Sequence, residues 1–557
     1  MLVDAHSIAD RAQLNADLCI VGAGPAGLTI ARALAPRGIK VFLVESGGPE
    51  PNQGSSTRDL SAGRNVGLNY FKLEDTRGRD IGGSSTRWNI PIGERGVGVR
   101  LRRLEPIDFE ARDWLPHSGW PFDYDHLQPY YRRAATLCGI DPEQPDADDC
   151  ARRDGCKPLA LDPDTAVTAM FQLGPANVWW GADMMAWLSK TDATVIFNGS
   201  ATRVEAESNG RRINGVRIAT LDGRTVHIAA KIVVLACGGI ENARLLLLSK
   251  DIQRNGLGND RGLVGRYFME HPHLTAGVLI PSHPDVFQQA ARYQVQKSGD
   301  TWVEGRIALA ESIARRERVR GCVVGLLAVP RRASLRAIEA LQNPSNGEAA
   351  MVLLKSALER RVWPYDAVKL AREMMADPSG ALRALRRRPS SHGPKENGEG
   401  HPDASAPPEV FALNVMSEQE PHPDSRVLLD YRNRDALDLP RAMLDWRVTE
   451  DDMRAVSQTL ALIGRQIEAA GIGRFHVPLH ATLPPKRLKG GYHHMGTTRM
   501  HVDPAQGVVD VDCRVHGIEN LFIAGSSVFP TGGYANPTLT IVALAVRLAD
   551  HLAQGLC

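Results

Sequence analysis

Residues 17–46 read DLCIVGAGPAGLTIARALAPRGIKVFLVES, and this stretch decides the fold. Asp17 to Val21 is a short apolar run that predicts a strand. The turn GAGPAG follows, then a helical pattern to about Ala35, then a second strand from Lys40 to Glu45. This is a βαβ unit. Gly22, Gly24 and Gly27 form a G-x-G-x-x-G turn between strand and helix, with the small Ala26 beside them. Such glycines permit a tight turn and close backbone approach, so a pyrophosphate can rest on the helix N-terminus. Glu45 ends the second strand at the spacing from which a carboxylate can accept hydrogen bonds from an adenosine ribose. The pattern predicts a dinucleotide site without distinguishing FAD from NAD.

Two further pieces repeat the strand–turn–helix pattern. KIVVLACGGIENARLLLLS spans 231–249, and Asn520 to Ala524 leads into a turn at Gly525 and a helix near Asn536. Three dispersed pieces of one layer predict a discontinuous α/β domain with other material inserted. Within the inserted material, Leu413–Met416 and Arg426–Asp430 read as strands, and 450–470 as an amphipathic helix. Segment 331–408 is different. It is first basic and helix-like, as in ALRALRRRP at 381–389. It then becomes SSHGPKENGEGHPDASAPP at 390–408, too polar to bury enough surface to offset its ordering entropy. A surface helical excursion and a flexible loop over 388–408 are expected there.

The 557 residues, 43% hydrophobic and 23% charged, allow more than one domain of an ordinary globular kind. A net charge of +2 is too small for a dedicated nucleic-acid binder. The richest apolar run, Ile232 to Leu248, is interrupted by Glu241, Asn242 and Arg244, so no transmembrane segment is expected. The first residues lack the apolar core of a secretion signal, and a cytoplasmic protein is expected. The eight cysteines form no CxxC pair; Cys19 and Cys237 read as small core residues, and Cys150 and Cys156 as reduced loop thiols. No metal site is expected.

Two other stretches carry chemistry. RGRDIGGSSTRWNIP at 77–91 offers Gly82 and Gly83 for backbone approach and Ser84, Ser85 and Thr86 as hydrogen-bonding groups. Arg79, Arg87, Trp88 and Asn89 lie beside them. Near the C-terminus, GYHHMGTTRM begins at Gly491, and VVDVDCRVHGIENLFIAGSSVFPTGGYANPTLT begins at Val508. His493 lies on a glycine-rich turn, and Asn536 precedes Pro537, which suits the first turn of a helix. Alcohol oxidation needs a base for the hydroxyl proton, which imidazole can supply near neutral pH. It also needs a donor that holds the developing alkoxide, which a carboxamide can supply.

The chain resembles the glucose–methanol–choline (GMC) oxidoreductases. The resemblance rests on GAGPAG with Glu45, the GGSSTRWN loop, GWPFDYDHLQPYY at 119–131, VVLACGGIENARLLLLS with VGRYFMEHP at 264–272, SEQEPHPDSRVLL at 417–429, and the C-terminal stretch. It implies an α/β, two-domain flavoprotein: a discontinuous Rossmann-like FAD domain (1–110, 192–272 and 489–557) and an α+β substrate domain with an antiparallel sheet (111–191 and 273–488). The HxxGT pattern falls on His493, Gly496 and Thr497, and the second catalytic position on Asn536. This is similar to the His–Asn branch of pyranose oxidases and fructose dehydrogenases. The resemblance adds Val204, Ala236, Gly238, Gly525, Ser526, Pro537 and Thr538 to the cofactor-binding positions, and His494 and Tyr492 to the substrate side. His271 is expected to brace the loop near the flavin.

Two departures from that branch matter. Arg87 stands where some members carry a histidine bonded to the flavin, so noncovalent FAD is expected. The cysteine cluster that carries electrons to iron–sulfur centres in others is missing from this sequence. The resemblance implies oxidation of a hydroxyl on a sugar, glycoside, aminosugar or cyclitol, with oxygen, a quinone or a carrier as acceptor. The alternatives are a non-sugar primary or benzylic alcohol, or a non-redox lyase that merely contains FAD.

Overall fold

In the computed structural model of the protein, Ala12–Val21 is a central strand of an eight-stranded sheet. The structure describes residues 1–49, 55–94, 96–330, 367–379, 408–479 and 488–556, with isolated positions 351, 382, 385, 484 and 485. The sheet runs in the order Leu2–Asp4, Thr194–Phe197, Val41–Val44, Ala12–Val21, Thr225–Leu235, Ile213–Ala219, Ser200–Ala206. Leu18 to Val21 and Val41 to Val44 are buried throughout, as parallel strands covered on both faces must be. The first strand begins five residues earlier than its apolar run suggests, because Ala12 to Ala16 pair in parallel with Val226 to Ala230.

Thr225–Leu235 changes partners along its length. Residues 225–229 pair antiparallel with 215–219, and residues 233–235 pair in parallel with Leu521–Ile523. Val21, Leu235 and Ile523 therefore stand side by side at the carboxyl ends of three adjacent parallel strands. The turns that follow them begin at Gly22, Ala236 and Ala524. Open α/β sheets place ligands in that crevice.

A nine-stranded sheet supplies the opposite wall. Its order is Gly473–His476, His273–Pro281, Val410–Ser417, Cys322–Val329, Thr301–Leu309, Ala166–Pro175, Gly96–Leu101, Ile90–Ile92, and Gln296–Ser298 pairs with Thr301–Leu309. Every one of these pairings is antiparallel. Residues 90–101, grouped above with the dinucleotide-binding region, hydrogen-bond into this second sheet through Ala166–Pro175. A small third sheet joins Arg426–Arg434, Pro440–Asp445 and Gly63–Asn65. The helix expected over 450–470 is Glu450–Ala469, started by a Thr449–Asp452 capping box. The expected loop at 388–408 and most of segment 331–408 lie outside the described residues. Within that segment, Ala367–Ala376 is a helix.

The last helix, Thr538–Leu556, is long and apolar enough to cross a membrane, but most of it is buried inside the protein. It packs on Pro25–Leu34 and on Tyr124–Leu137. Its apolarity is that of a core helix, and its N-terminus opens at the crevice.

Candidate active site

The dinucleotide turn is built as its glycines require. Gly22 has φ +106°, and a Cβ there would lie 2.6 Å from the carbonyl oxygen of Ala236. Only glycine lets the first and second turns pack so closely. Gly24 caps the helix Pro25–Leu34 without any side-chain cap, and a Cβ on it would meet nothing nearer than Gly83 Cα at 4.0 Å. Ala26 and Gly27 follow in the first helical turn, both buried. A Cβ on Gly27 would strike the Gly22 carbonyl, so this glycine serves turn–helix packing. The third turn is open as well, since Gly525 has φ +110° with nothing within 4 Å of its Cβ position, and Gly238 has φ +82° with the same freedom.

Glu45 is buried at the end of its strand. It accepts from the N–H of Ala23 at 2.9 Å and of Gly47 at 3.1 Å. Burial raises its pKa against these hydrogen bonds. Oε1 also accepts from the Ser46 hydroxyl at 3.1 Å, whereas Oε2 accepts only from Ala23 among the described residues and keeps a lone pair for a ribose hydroxyl.

The GGSST loop folds onto this turn. Gly82 and Gly83 have φ +97° and +56°, and a Cβ on Gly83 would touch Gly24 Cα at 3.0 Å. The hydroxyls turn inward: Ser85 donates to the Gly82 carbonyl at 2.7 Å, and Thr86 to that of Gly83 at 2.9 Å. Ser84 accepts from Gly78 N–H. Arg79 is committed to Ser46, Ser61, the Leu60 carbonyl and Glu241, so it braces the loop from behind. Arg87 and Asn89 are exposed, and Trp88 is half-buried. Val204 lies on the far edge strand, and its N–H donates to Ser249 at 2.9 Å.

The structure brings His493 and Asn536 together. Asn536 Nδ2 lies 3.0 Å from His493 Nε2. An amide nitrogen only donates, so Nε2 accepts and the imidazole proton resides on Nδ1. His493 Nδ1 is 2.8 Å from His271 Nδ1, which therefore accepts. The proton of His271 is left on Nε2, beside the Gly532–Gly533 backbone. Burial holds His493 far below the usual imidazole range; His271, His273, His494 and Arg100 add to the effect. A neutral imidazole with an unprotonated Nε2, its lone pair held by Asn536 until a substrate hydroxyl takes that place, is the state a proton acceptor needs. Asn536 Oδ1 is buried and has no hydrogen-bond partner among the described residues. Pro537 accepts the first helical hydrogen bond, from Ile541, so the carboxamide stands where the helix dipole is most positive.

His494 points elsewhere. It is buried against Tyr70, whose hydroxyl lies 3.0 Å from its Nε2, and burial pushes its pKa down to about 3. Tyr492 adopts φ +61° and packs its ring edge-on to Phe71 at 4.7 Å. Ser526 donates to the His494 carbonyl at 2.7 Å and so ties the third turn to the histidine loop.

Glu270 was not singled out from the sequence, yet it is the hub of this loop. It is fully buried and accepts from the N–H groups of Gly491 at 2.9 Å, His493 at 3.0 Å and His271 at 3.0 Å, as well as from the Tyr70 hydroxyl. Burial raises its pKa to about 7 against those hydrogen bonds. His273 was also missed; its ring centroid is 5.8 Å from that of His493. The run MEHPH carried the only signal, in its density of titratable side chains between apolar neighbours.

A family model described as GMC oxidoreductase matches residues 421–545, and one described as FAD dependent oxidoreductase matches residues 17–257. The fructose dehydrogenase large subunit of Gluconobacter japonicus is 24% identical across 98% of this chain and 98% of its own. The C-terminal part thus matches the GMC oxidoreductase model, and the N-terminal part the FAD dependent oxidoreductase model. Among other relatives, the 2-methyl-1,2-propanediol dehydrogenase of Mycolicibacterium austroafricanum is 25% identical over 97% of the chain and 95% of the relative. A C-glycoside 3-oxidase of Arthrobacter globiformis is 32% identical over 28% of the chain and 29% of the relative. The crystal structure of pyridoxine 4-oxidase from Mesorbium loti shares the fold, with a TM-score of 0.53 at 17% identity over 97% and 99% of the two chains.

The protein is an FAD-dependent alcohol oxidoreductase. Its residues fit the cofactor. The gap at Gly24, Gly238 and Gly525 is a cradle that side chains would fill, and the uncapped helix at Gly24 suits a pyrophosphate. The unpartnered Asn536 Oδ1 at the mouth of the last helix is a buried polar atom awaiting a group to bind.

Proposed function

We propose that the protein oxidises a secondary or primary hydroxyl of a sugar, glycoside, aminosugar or cyclitol to the carbonyl. The observation that carries this reading is the 3.0 Å pairing of Asn536 Nδ2 with a neutral, half-buried His493 Nε2 at the crevice. A substrate hydroxyl that replaces this hydrogen bond accepts from Asn536 Nδ2 and gives its proton to Nε2. The amide N–H then holds the alkoxide as its charge develops. FAD, when bound, accepts the hydride from the same carbon. His271 fixes the tautomer that leaves Nε2 basic, and Glu270 holds the loop on which His493 rides. The glycines at 22, 24, 82, 83, 238 and 525 and the carboxylate of Glu45 bind the cofactor. On this reading residues 1–110, 192–272 and 489–557 make the FAD-binding part, apart from the strands of 90–101, and the remainder shapes the substrate pocket.

FAD is held noncovalently, since exposed Arg87 offers no nucleophile at the position where a histidine would bond the flavin. Acid precipitation then releases the yellow colour into the supernatant. The electron acceptor is oxygen, a quinone or a carrier. A second reading, oxidation of a non-sugar primary alcohol, draws support from the full-length likeness to a 2-methyl-1,2-propanediol dehydrogenase. An anaerobic bleaching screen separates the two. Bleaching by pyranosides, glycosides or cyclitols supports the first; bleaching only by small aliphatic or benzylic alcohols overturns it in favour of the second.

A further inference from the structure

The inner face of the nine-stranded sheet carries charge that the chemistry at His493 does not use. Phe171, Glu304 and Arg306 share this face with Ala308, Met416 and His273, through the registers Phe171 with Glu304, Ala308 with Val323, and Met416 with both Val323 and His273. The face reaches the catalytic pair. The Arg306 guanidinium lies 5.8 Å from the Phe171 ring centroid, and Phe171 is 6.4 Å from Tyr534, two residues before Asn536. His273 on the same face is 5.8 Å from His493, ring to ring.

This wall is cationic. Arg100 and Arg306 share one carboxylate, Glu304, and Arg100 takes the closer contact. Arg306 keeps a single bond to Glu304 at 3.2 Å. It is only 8% exposed, and its Nε has no hydrogen-bond partner among the described residues. A guanidinium carries five N–H donors, and burying it half-satisfied is costly. The neighbouring charges do not cancel it. Arg102 and Glu105 neutralise each other, as do Arg112 and Glu418, and burial with Glu418 favours the protonated form of Asp108. Burial keeps His273 neutral, with His271, Arg306, Arg100 and Lys489 adding to the effect, so no imidazolium adds to or offsets the wall.

We propose that Arg306, backed by Arg100, is a specificity-determining residue that binds a carboxylate on the substrate, so that the alcohol oxidised belongs to a sugar acid or uronide. This rests on the polyol reading above and narrows it. An ammonium-bearing aminosugar would meet an uncompensated positive charge at the same place. Arg306 supplies a planar fork suited to a carboxylate. The row beside it, Asn414 and Thr275, joined by a 3.1 Å hydrogen bond, offers neutral groups for ring hydroxyls.

The test uses the FAD-loaded enzyme under anaerobic conditions. Bleaching is followed with methyl glucuronide, methyl glucoside and glucosamine, which share a ring and differ in charge. The uronide is expected to bind at least about tenfold more tightly than the neutral glycoside, the size of one charge-assisted hydrogen bond. That ratio should collapse in Arg306→Met, recover in part in Arg306→Lys, and shrink with added salt in the wild type. Equal apparent affinities for uronide and glucoside, or an unchanged ratio in Arg306→Met with flavin retained, would overturn the proposal and leave the polyol reading intact. A second measurement does not need turnover. Cyclohexanecarboxylate is titrated into the oxidised enzyme and read by the flavin difference spectrum. Saturable binding that Arg306→Met abolishes supports the carboxylate site even if no sugar bleaches, in which case the polyol reading alone fails. Absence of saturable binding counts against the site.

Discussion

Asn536 offers the sharpest test of how the site handles charge. Its Nδ2 is 3.0 Å from His493 Nε2, with Asn536 buried and His493 half-buried at the start of the helix Thr538–Leu556. Asn536→Ala removes one preorganised donor and leaves the base in place. A lost oxyanion-type donor costs about 2.7–4 kcal/mol, or roughly a hundred- to a thousandfold in rate. Asn536→Asp keeps the shape but replaces the N–H with a negative charge beside the developing alkoxide. It also stabilises the His493 imidazolium, so the base stays protonated to a higher pH than in the wild type. The assay is anaerobic stopped-flow bleaching, with the limiting rate taken at saturating substrate. Asn536→Ala should lower that rate by two to three orders of magnitude while flavin content stays near stoichiometric. Asn536→Asp should lose at least as much, and most at low pH. A limiting rate for Asn536→Ala within about threefold of wild type, less than 1 kcal/mol, would refute the reasoning.

Two further outcomes follow from the loop and the turn. The carboxylate of Glu270 holds three backbone N–H groups when ionised and has its pKa raised to about 7, so the rate should fall as pH drops through that value. The same shift means that ionising Glu270 destabilises the fold: stability should decline as pH rises from the ordinary carboxylate value of 4.5 toward about 7. Glu270→Gln should remove the inflection near 7 from both the rate profile and thermal melts, and an inflection that persists would assign it to another group. Gly22→Ala forces a Cβ to within 2.6 Å of the Ala236 carbonyl at φ +106°, a backbone strain of about 1–3 kcal/mol before the clash is counted. The variant should purify without flavin or melt well below wild type, whereas a yellow, equally stable protein would show the two turns to be farther apart than described.

The βαβ unit was legible because its signals are local. Leu18 to Val21 and Val41 to Val44 are buried runs, and Gly22, Gly24 and Gly27 mark the turn between them within thirty or so residues. The meeting of His493 with Asn536 was legible for the opposite reason: resemblance, not spacing, joined them. The nine-stranded sheet was only partly visible, since Gly96–Leu101, Ala166–Pro175 and Thr301–Leu309 are neighbours through register and far apart in the chain. Nothing local distinguishes Glu304 and Arg306 from the polar positions of a half-exposed strand. Glu270 escaped notice because its partners Gly491 and His493 lie more than two hundred residues away. The roles read for Ser85, Thr86 and Arg79 changed in character once partners were visible, because their side chains close the loop on itself.

Catalysis depends on proton abstraction by one imidazole, which His493→Ala removes. The variant should bind FAD with an ordinary oxidised spectrum, since His493 holds none of the glycine turns, and should bleach slower than wild type by several orders of magnitude at every pH where the wild type works. Bleaching of that variant at the wild-type rate, with flavin bound and substrate saturating, would contradict the claim outright.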